Sequence, residues 1–454
     1  MRGYHNGRGG QHGRGSFTRG RGSWRGSSAS WQPATARSPS PPVGSLVQTV
    51  KQIDLISSLN LKGAAQIKDC RLLASFNLME GKTTVIKVPG MPPMWKPLAQ
   101  AKELVEDSGE YFRDENSARF PKHPMEPAIR ALLIQEPNLD PSGVDIFACG
   151  STLGSLLLFV RRVDKPFRFV IEVIGNTVFF IRRENTADER IVDCRGYGHA
   201  FPEAYTEWQQ GVKGSASHQR LIQYDFAGLK CVLRSEGDGY LEDLAGLCEG
   251  DNVPVTLPEM PGLTMQHGGH RIPQQAIFDL KTRTIKRKDE DILDSELPRL
   301  YIRQIPNFVL AFHERGRFDI ISVRNIQADL KAWEARSQAE LNLLGELMHK
   351  LVGIVKATPG MKCEVRYRDV GLLEFRHVLD DAPSAVSREV GNLWTRQATT
   401  PAPELDDGVA LAGADLSDHS DESDQEGVDL ASFSDNDSGD FTACDATCGY
   451  CGRC

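Results

Sequence analysis

The sequence predicts an α+β fold: mixed, twisted β-sheets flanked by helices, with a disordered tail at either end. Three observations carry this reading. Apolar, β-branched runs are joined by glycine-containing turns, one long stretch has helical apolar spacing, and the two ends of the chain carry opposite charge.

Charge separates the tails from the body. Residues 1–50 hold seven arginines and no acidic residue, whereas residues 401–454 hold fourteen acidic residues and one arginine. Of the net charge of −8, residues 51–400 therefore contribute only −2. The expected organisation is an arm over residues 1–43, a globular body over 44–382, an acidic tail over 383–443 and a cysteine-rich terminus over 444–454.

The arm repeats arginine and glycine, with Arg8, Arg14, Arg19, Arg21 and Arg25 in Arg-Gly steps and Tyr4, Phe17, Trp24 and Trp31 between them. Glycine keeps such a segment open, arginine pairs with phosphates and stacks on bases, and aromatic rings add stacking surface. RNA contact is one expectation and a solubilising tail the other. The acidic tail offers a surface for a basic protein partner.

The body supplies elements in order. Glu126 to Gln135 and Ala99 to Glu110 have helical spacing, and Asp145 to Phe159 reads as a short strand feeding a helix. Phe167 to Ile174 and Thr177 to Arg183 form a hairpin about Gly175-Asn176, and Asn307 to His313 and Phe318 to Val323 another about Arg315-Gly316. Leu330 to Val355 predicts one amphipathic helix whose Leu341, Leu344, Leu347, Met348 and Leu351 pack a core. Lys362 to Tyr367 and Leu372 to Phe375 read as closing strands.

The stretch from Gln219 to Thr284 holds the candidate chemistry. A hairpin bent at Ala227-Gly228 ends in Glu236-Gly-Asp238, and a later strand of the expected same sheet carries Asp279-Leu-Lys281. Residues two apart on a strand share a face, so Glu236 pairs with Asp238 and Asp279 with Lys281. Three carboxylates converging on one point suit a hard divalent cation, Mg²⁺ or Mn²⁺, with the lysine left to steer a water or a phosphate oxygen. Taken singly, such pairs also occur on solvated faces; their order and apolar flanks argue for a buried site.

With these residues in order, Asp145 to Val355 resembles the eukaryotic decapping exoribonucleases (DXO-type), a branch of the PD-(D/E)xK nucleases. Gly196-Tyr197 to Glu203, Glu236-x-Asp238, Asp279-Leu280-Lys281-Thr282 and the later Gln304 are similar to that family's motifs. The resemblance implies a metal held by Glu236, Asp238 and Asp279. It gives catalytic roles at the nucleophile or scissile phosphate to Glu203, Lys281 and Gln304. It further implies hydrolysis at RNA 5′ ends, by decapping or 5′–3′ exonuclease action. Three departures stand out: Cys149 replaces the family's arginine before Gly150, Asp279 stands where glutamate is usual, and residues 242–271 form an insertion. The alternative is a nuclease-like fold that binds RNA without cutting it. A prenyl diphosphate synthase would need Asp-Asp-x-x-Asp, and Asp380-Asp381 and Asp406-Asp407 both lack the third acid.

No run of about 18 apolar residues occurs and the N-terminus has no charged-then-apolar pattern, which predicts an intracellular protein, in nucleus or cytoplasm. Of ten cysteines, six are scattered, as reduced thiols would be, and Cys444, Cys448, Cys451 and Cys454 crowd the end. Those four can enclose one tetrahedral Zn²⁺ or stand as an unmetallated tail.

The arm makes a direct test. If its arginines neutralise phosphates, deleting residues 1–43 weakens RNA binding and flattens the dependence of log K on log salt, by roughly 0.7 per lost contact. Fluorescence anisotropy across a salt series measures both quantities, and an unchanged slope would remove the arm from RNA binding.

Overall fold

Reversal of the chain without loss of strand twist requires positive φ at the turn, and the hairpins meet that demand in two ways. Ala227 and Gly228 (φ 51° and 77°) join strands Ser215–Phe226 and Leu229–Glu236. Arg315 and Gly316 (φ 50° and 85°) join Asn307–Glu314 to Arg317–Asn325 in the same way. Gly175 alone takes positive φ, 62°, between Phe167–Ile174 and Thr177–Arg182. All three turns lie where the sequence placed them.

The computed structural model describes residues 40–57, 63–81, 84–192, 194–246 and 262–397. The arginine-glycine arm with Arg8, Arg14, Arg19, Arg21 and Arg25, the tail beyond residue 397 and Cys444, Cys448, Cys451 and Cys454 lie outside the described residues. No described helix is long and apolar enough to cross a membrane.

An eleven-stranded sheet has Thr177–Arg182, Ile146–Cys149, Leu229–Glu236, Ser215–Phe226 and Ile67–Met79 side by side near its centre. Ile146–Cys149 is buried along its whole length and runs parallel to both neighbours. Such a strand needs cover on both faces. Ile146 and Ala148 pack with Leu153, Leu156, Leu300 and Leu344, which come from helices Gly150–Val160, Ile292–Arg303 and Gln338–Ala357. Phe147 and Cys149 face the other way, toward Ile129, Leu132 and Trp394 of helices Glu126–Gln135 and Arg388–Gln397.

The structure corrects four expectations. The strand of Asp279, Ile277–Thr284, belongs to a separate six-stranded sheet, not to the sheet of Glu236. The chain leaves the first sheet after Glu236 and pairs Gly239 with Phe278 and Tyr240 with Ile277. A Cβ at Gly239 would lie 2.2 Å from Phe278 Cζ and 2.9 Å from the Pro93 carbonyl, so only glycine passes between the sheets there. Residues 99–110 form no helix: Leu104 donates its N–H to the Gly316 carbonyl (3.0 Å) and Glu103 bridges Arg317, so the backbone bonds go to a neighbouring turn. The long helix is two, Gln327–Arg336 and Gln338–Ala357, broken at Ser337 (φ −104°, ψ 20°), a residue type that favours helix ends.

The fourth correction extends the body past residue 382. Helix Arg388–Gln397 places Trp394, 1% exposed, edge-on to Phe147 and Phe179, and its indole N–H donates to Thr177 Oγ1 at 3.1 Å. Trp394→Ala should therefore cost about 3–5 kcal/mol. Urea unfolding followed by circular dichroism checks this; a change within about 0.5 kcal/mol, the range of surface substitutions, would show the helix to be peripheral.

Candidate functional site

The handover from one sheet to the other opens a cleft of about 640 Å³. Glu236 and Asp238, both half-buried, line it, as do exposed Glu203 on helix Ala200–Tyr205 and the first residues of helix Gly150–Val160. Asp238 Oδ2 accepts the Leu280 N–H at 2.8 Å, which ties the Glu236-x-Asp238 turn to the strand of Asp279 and Lys281. Three of the predicted site residues, Glu203, Glu236 and Asp238, thus share one cavity.

Asp279 and Lys281 do not line that cavity. Both are buried, 2% and 3% exposed, on the side of their strand covered by helix Ile292–Arg303. Arg299 of that helix grips Asp279 with two N–H groups, Nη1 to Oδ2 at 2.6 Å and Nη2 to Oδ1 at 2.7 Å. The same guanidinium donates to Glu296 Oε2 from Nε (3.0 Å) and Nη2 (2.7 Å). Lys281 Nζ lies 3.5 Å from Glu296 Oε1, with Arg283 at 3.6 Å from the same oxygen. Burial pushes the Asp279 carboxyl up, but Arg299, Arg303 and Lys281 outweigh it and hold the group below the ordinary carboxylate value.

This donor set does not fit the divalent cation that the resemblance implied. Both oxygens of Asp279 are occupied by guanidinium N–H groups. Among the described residues, no three His, Cys, Asp or Glu side chains come together closely enough to hold a metal ion. Gln304 also differs from its expected place at the chemistry. It ends its helix in the left-handed conformation (φ 50°, ψ 43°), its Nε2 donates to the Tyr301 carbonyl (2.6 Å), and its own carbonyl accepts from Gln274 (2.9 Å). Its neighbour Arg303 lines the cleft instead.

Cationic residues stand among the acids of the cleft. Arg182, Arg234 and Arg303 line it together with Gly150 and Ser151, at the start of an eleven-residue helix whose first N–H groups donate no capping bond to the Cys149 side chain. Arg234 is 8% exposed; its Nη2 donates to Cys149 Sγ at 3.2 Å, and its buried Nε and Nη1 have no hydrogen-bond partner. Burial opposes its charge, yet the Cys149 sulfur and the Asp114 carboxylate outweigh burial and raise its pKa further. A Cβ at residue 150 would meet Arg303 Cγ and Nε at 3.1 Å, so the glycine lets that guanidinium lie against the helix start. Arg182 is held by Glu184 at 2.6 Å and by Asp114 at 3.7 Å. At the rim, the Tyr111 and His199 rings stack with centroids 3.8 Å apart.

Arg234 was legible: Arg234-Ser-Glu236 puts it on the Glu236 face by the period of two. Arg299 had a weaker signal, the Glu296-x-x-Arg299-x-x-x-Arg303 stripe of a helix whose other face is apolar. That Arg234 stands beside Cys149 follows from the register of two parallel strands distant in sequence.

Among solved structures, that of Candida albicans Rai1 in complex with pU5-Mn²⁺ matches with a TM-score of 0.50 at 11% identity, covering 78% of this chain and 99% of that chain. Scheffersomyces stipitis Rai1 in complex with (3′-NADP)⁺ and calcium ion gives 0.48 at 11% identity, with the same coverages. S. pombe Rai1 gives 0.48 at 9% identity, over 73% of this chain and 99% of that chain. At such identities the first of these likenesses carries the fold, the distant DXO-type architecture that the motifs implied, and nothing finer. No curated protein matches the chain. A family model described as a domain of unknown function (DUF8563) matches residues 50–380, and the chain belongs to that family.

Proposed function

We propose that this chain binds the phosphorylated 5′ end of an RNA strand in the cleft and holds it without metal-dependent cleavage. One observation carries the reading: Arg234 helps line the cleft, and its buried Nε and Nη1 have no hydrogen-bond partner. A buried donor left unpaired costs about 1–3 kcal/mol, more for a charged one, so its retention points to an anion that completes it. A terminal phosphate is the anion that suits the surroundings. Gly150 and Ser151, which begin helix Gly150–Val160, and Arg182 and Arg303 line the same cleft.

The other cleft residues restrict what else enters. Glu203, Glu236 and Asp238 repel an internal run of phosphates and accept hydrogen bonds from ribose hydroxyls, favouring an RNA terminus over mid-strand or DNA. The stacked Tyr111–His199 pair offers a ring face to the first base. The arginine-glycine arm supplies sequence-independent affinity, and a protein of this fold is solved with pU5. A metal-dependent nuclease is the second reading; it rests on Glu203, Glu236 and Asp238 sharing the cleft, and on the Mn²⁺ in that Rai1 complex.

Affinity for one RNA sequence with a 5′ phosphate or a 5′ hydroxyl, measured in EDTA, separates these readings. Wild type should prefer the phosphorylated end by about 10- to 100-fold, the worth of hydrogen bonds to a charged group, and Arg234→Met should bring the preference near unity. Absence of any preference in wild type would sink the proposal. Shortening of the RNA by wild type with Mn²⁺, abolished in Asp238→Asn, would install the nuclease reading in its place.

A further inference from the structure

We infer that Arg299 replaces a divalent cation at this centre, supplying from the chain itself the positive charge that its buried acids require. Asp279 and Glu296 are 2% and 4% exposed, and neither can stay ionised in such a place without a counter-charge. Arg299 spans both: two of its N–H groups face the two oxygens of Asp279, and Nε and Nη2 also reach Glu296. A guanidinium has five N–H donors in a rigid plane, and this arrangement employs most of them.

The geometry excludes an ion while Arg299 is in place. A small divalent cation must sit about 2.0–2.2 Å from a carboxylate oxygen. The arginine nitrogens already stand 2.6 and 2.7 Å from the two Asp279 oxygens and occupy both of them. Arg303 Nη1 is 3.9 Å from Asp279 Oδ2 and Lys281 Nζ is 3.5 Å from Glu296, so further cations surround the position. Arg299 is itself held, one helical turn from Glu296 and 13% exposed at its side chain, so it does not swing aside without breaking both pairs. Asp238 directs Oδ2 to the Leu280 N–H, which leaves that oxygen engaged as well. The positive charge beside these buried acids is then part of the covalent chain and indifferent to chelators.

This inference stands whether or not the cleft binds RNA, and its test contains none. Mn²⁺ is titrated into the full chain and the remaining aquo-ion signal followed by electron paramagnetic resonance. Other acids, including those of residues 401–454, take up the same ion in every variant, so only differences between variants count. Wild type and Asp279→Asn should bind equal amounts. Arg299→Gln should gain one equivalent per chain, at least ten-fold tighter than any Asp279-dependent uptake in wild type, and lose it again in the Arg299→Gln/Asp279→Asn double variant. One equivalent in wild type that Asp279→Asn lacks overturns the inference, as does a folded Arg299→Gln that gains none. Should Arg299→Gln fail to fold by circular dichroism, the wild-type melting temperature decides. An ion at a buried carboxylate stabilises the native state by mass action, so a rise with Mn²⁺ no larger than that of Asp279→Asn supports the inference, and one more than about 3 °C larger refutes it.

Discussion

A carboxylate taken out of water must be met by positive charge and by hydrogen-bond donors, or it will not remain ionised. Around Asp279 that requirement shapes the second half of the fold. Its strand pairs with the crossing segment at Gly239, where no side chain has room, and helix Ile292–Arg303 must lie close enough to present Arg299 to it. The apolar residues of the same helix, Leu293, Leu297, Leu300 and Ile302, join the core cluster against the larger sheet. One helix therefore seals the core with one face and neutralises the smaller sheet's buried acid with another. Removing one partner of such a pair leaves an unpaired buried charge and costs about 3–5 kcal/mol, which couples the local electrostatics to the stability of the whole.

The same logic governs the other side of the cleft. The motifs led us to expect an arginine before Gly150, and the chain has Cys149 there. Arg234 stands opposite Cys149 in the parallel register and donates to its sulfur, so a guanidinium reaches the start of the helix from the neighbouring strand. Positive charge is kept in the cleft by Arg234, while behind it Arg299 supplies the cation that Asp279 needs.

Local chemistry was the part of this protein open to direct reading. Three hairpin turns, the strand feeding helix Gly150–Val160 and the grouping of Glu236 with Asp238 depend on residues close in sequence, and each is as expected. Residues 99–110 misled because helical spacing of apolar residues describes only one use for them; there the backbone pairs with a distant turn. Helix Arg388–Gln397 was hidden by its polar composition, since one buried tryptophan anchors it to a core assembled elsewhere.

From the sequence alone came the α+β class, the opposite charge of the two ends, the turns, and the identity of the acids that would face each other along a strand. These follow from periods of two and 3.6 and from the φ preferences of single residues. Only the tertiary structure decided that Asp279 lies in a different sheet from Glu236, that Arg299 closes on it, and that Arg234 stands beside Cys149. The physical reason is that a counter-charge acts through space. Asp279 and Arg299 are twenty positions apart on different elements, and Arg234 and Cys149 eighty-five apart, so neither pairing leaves a trace in local spacing.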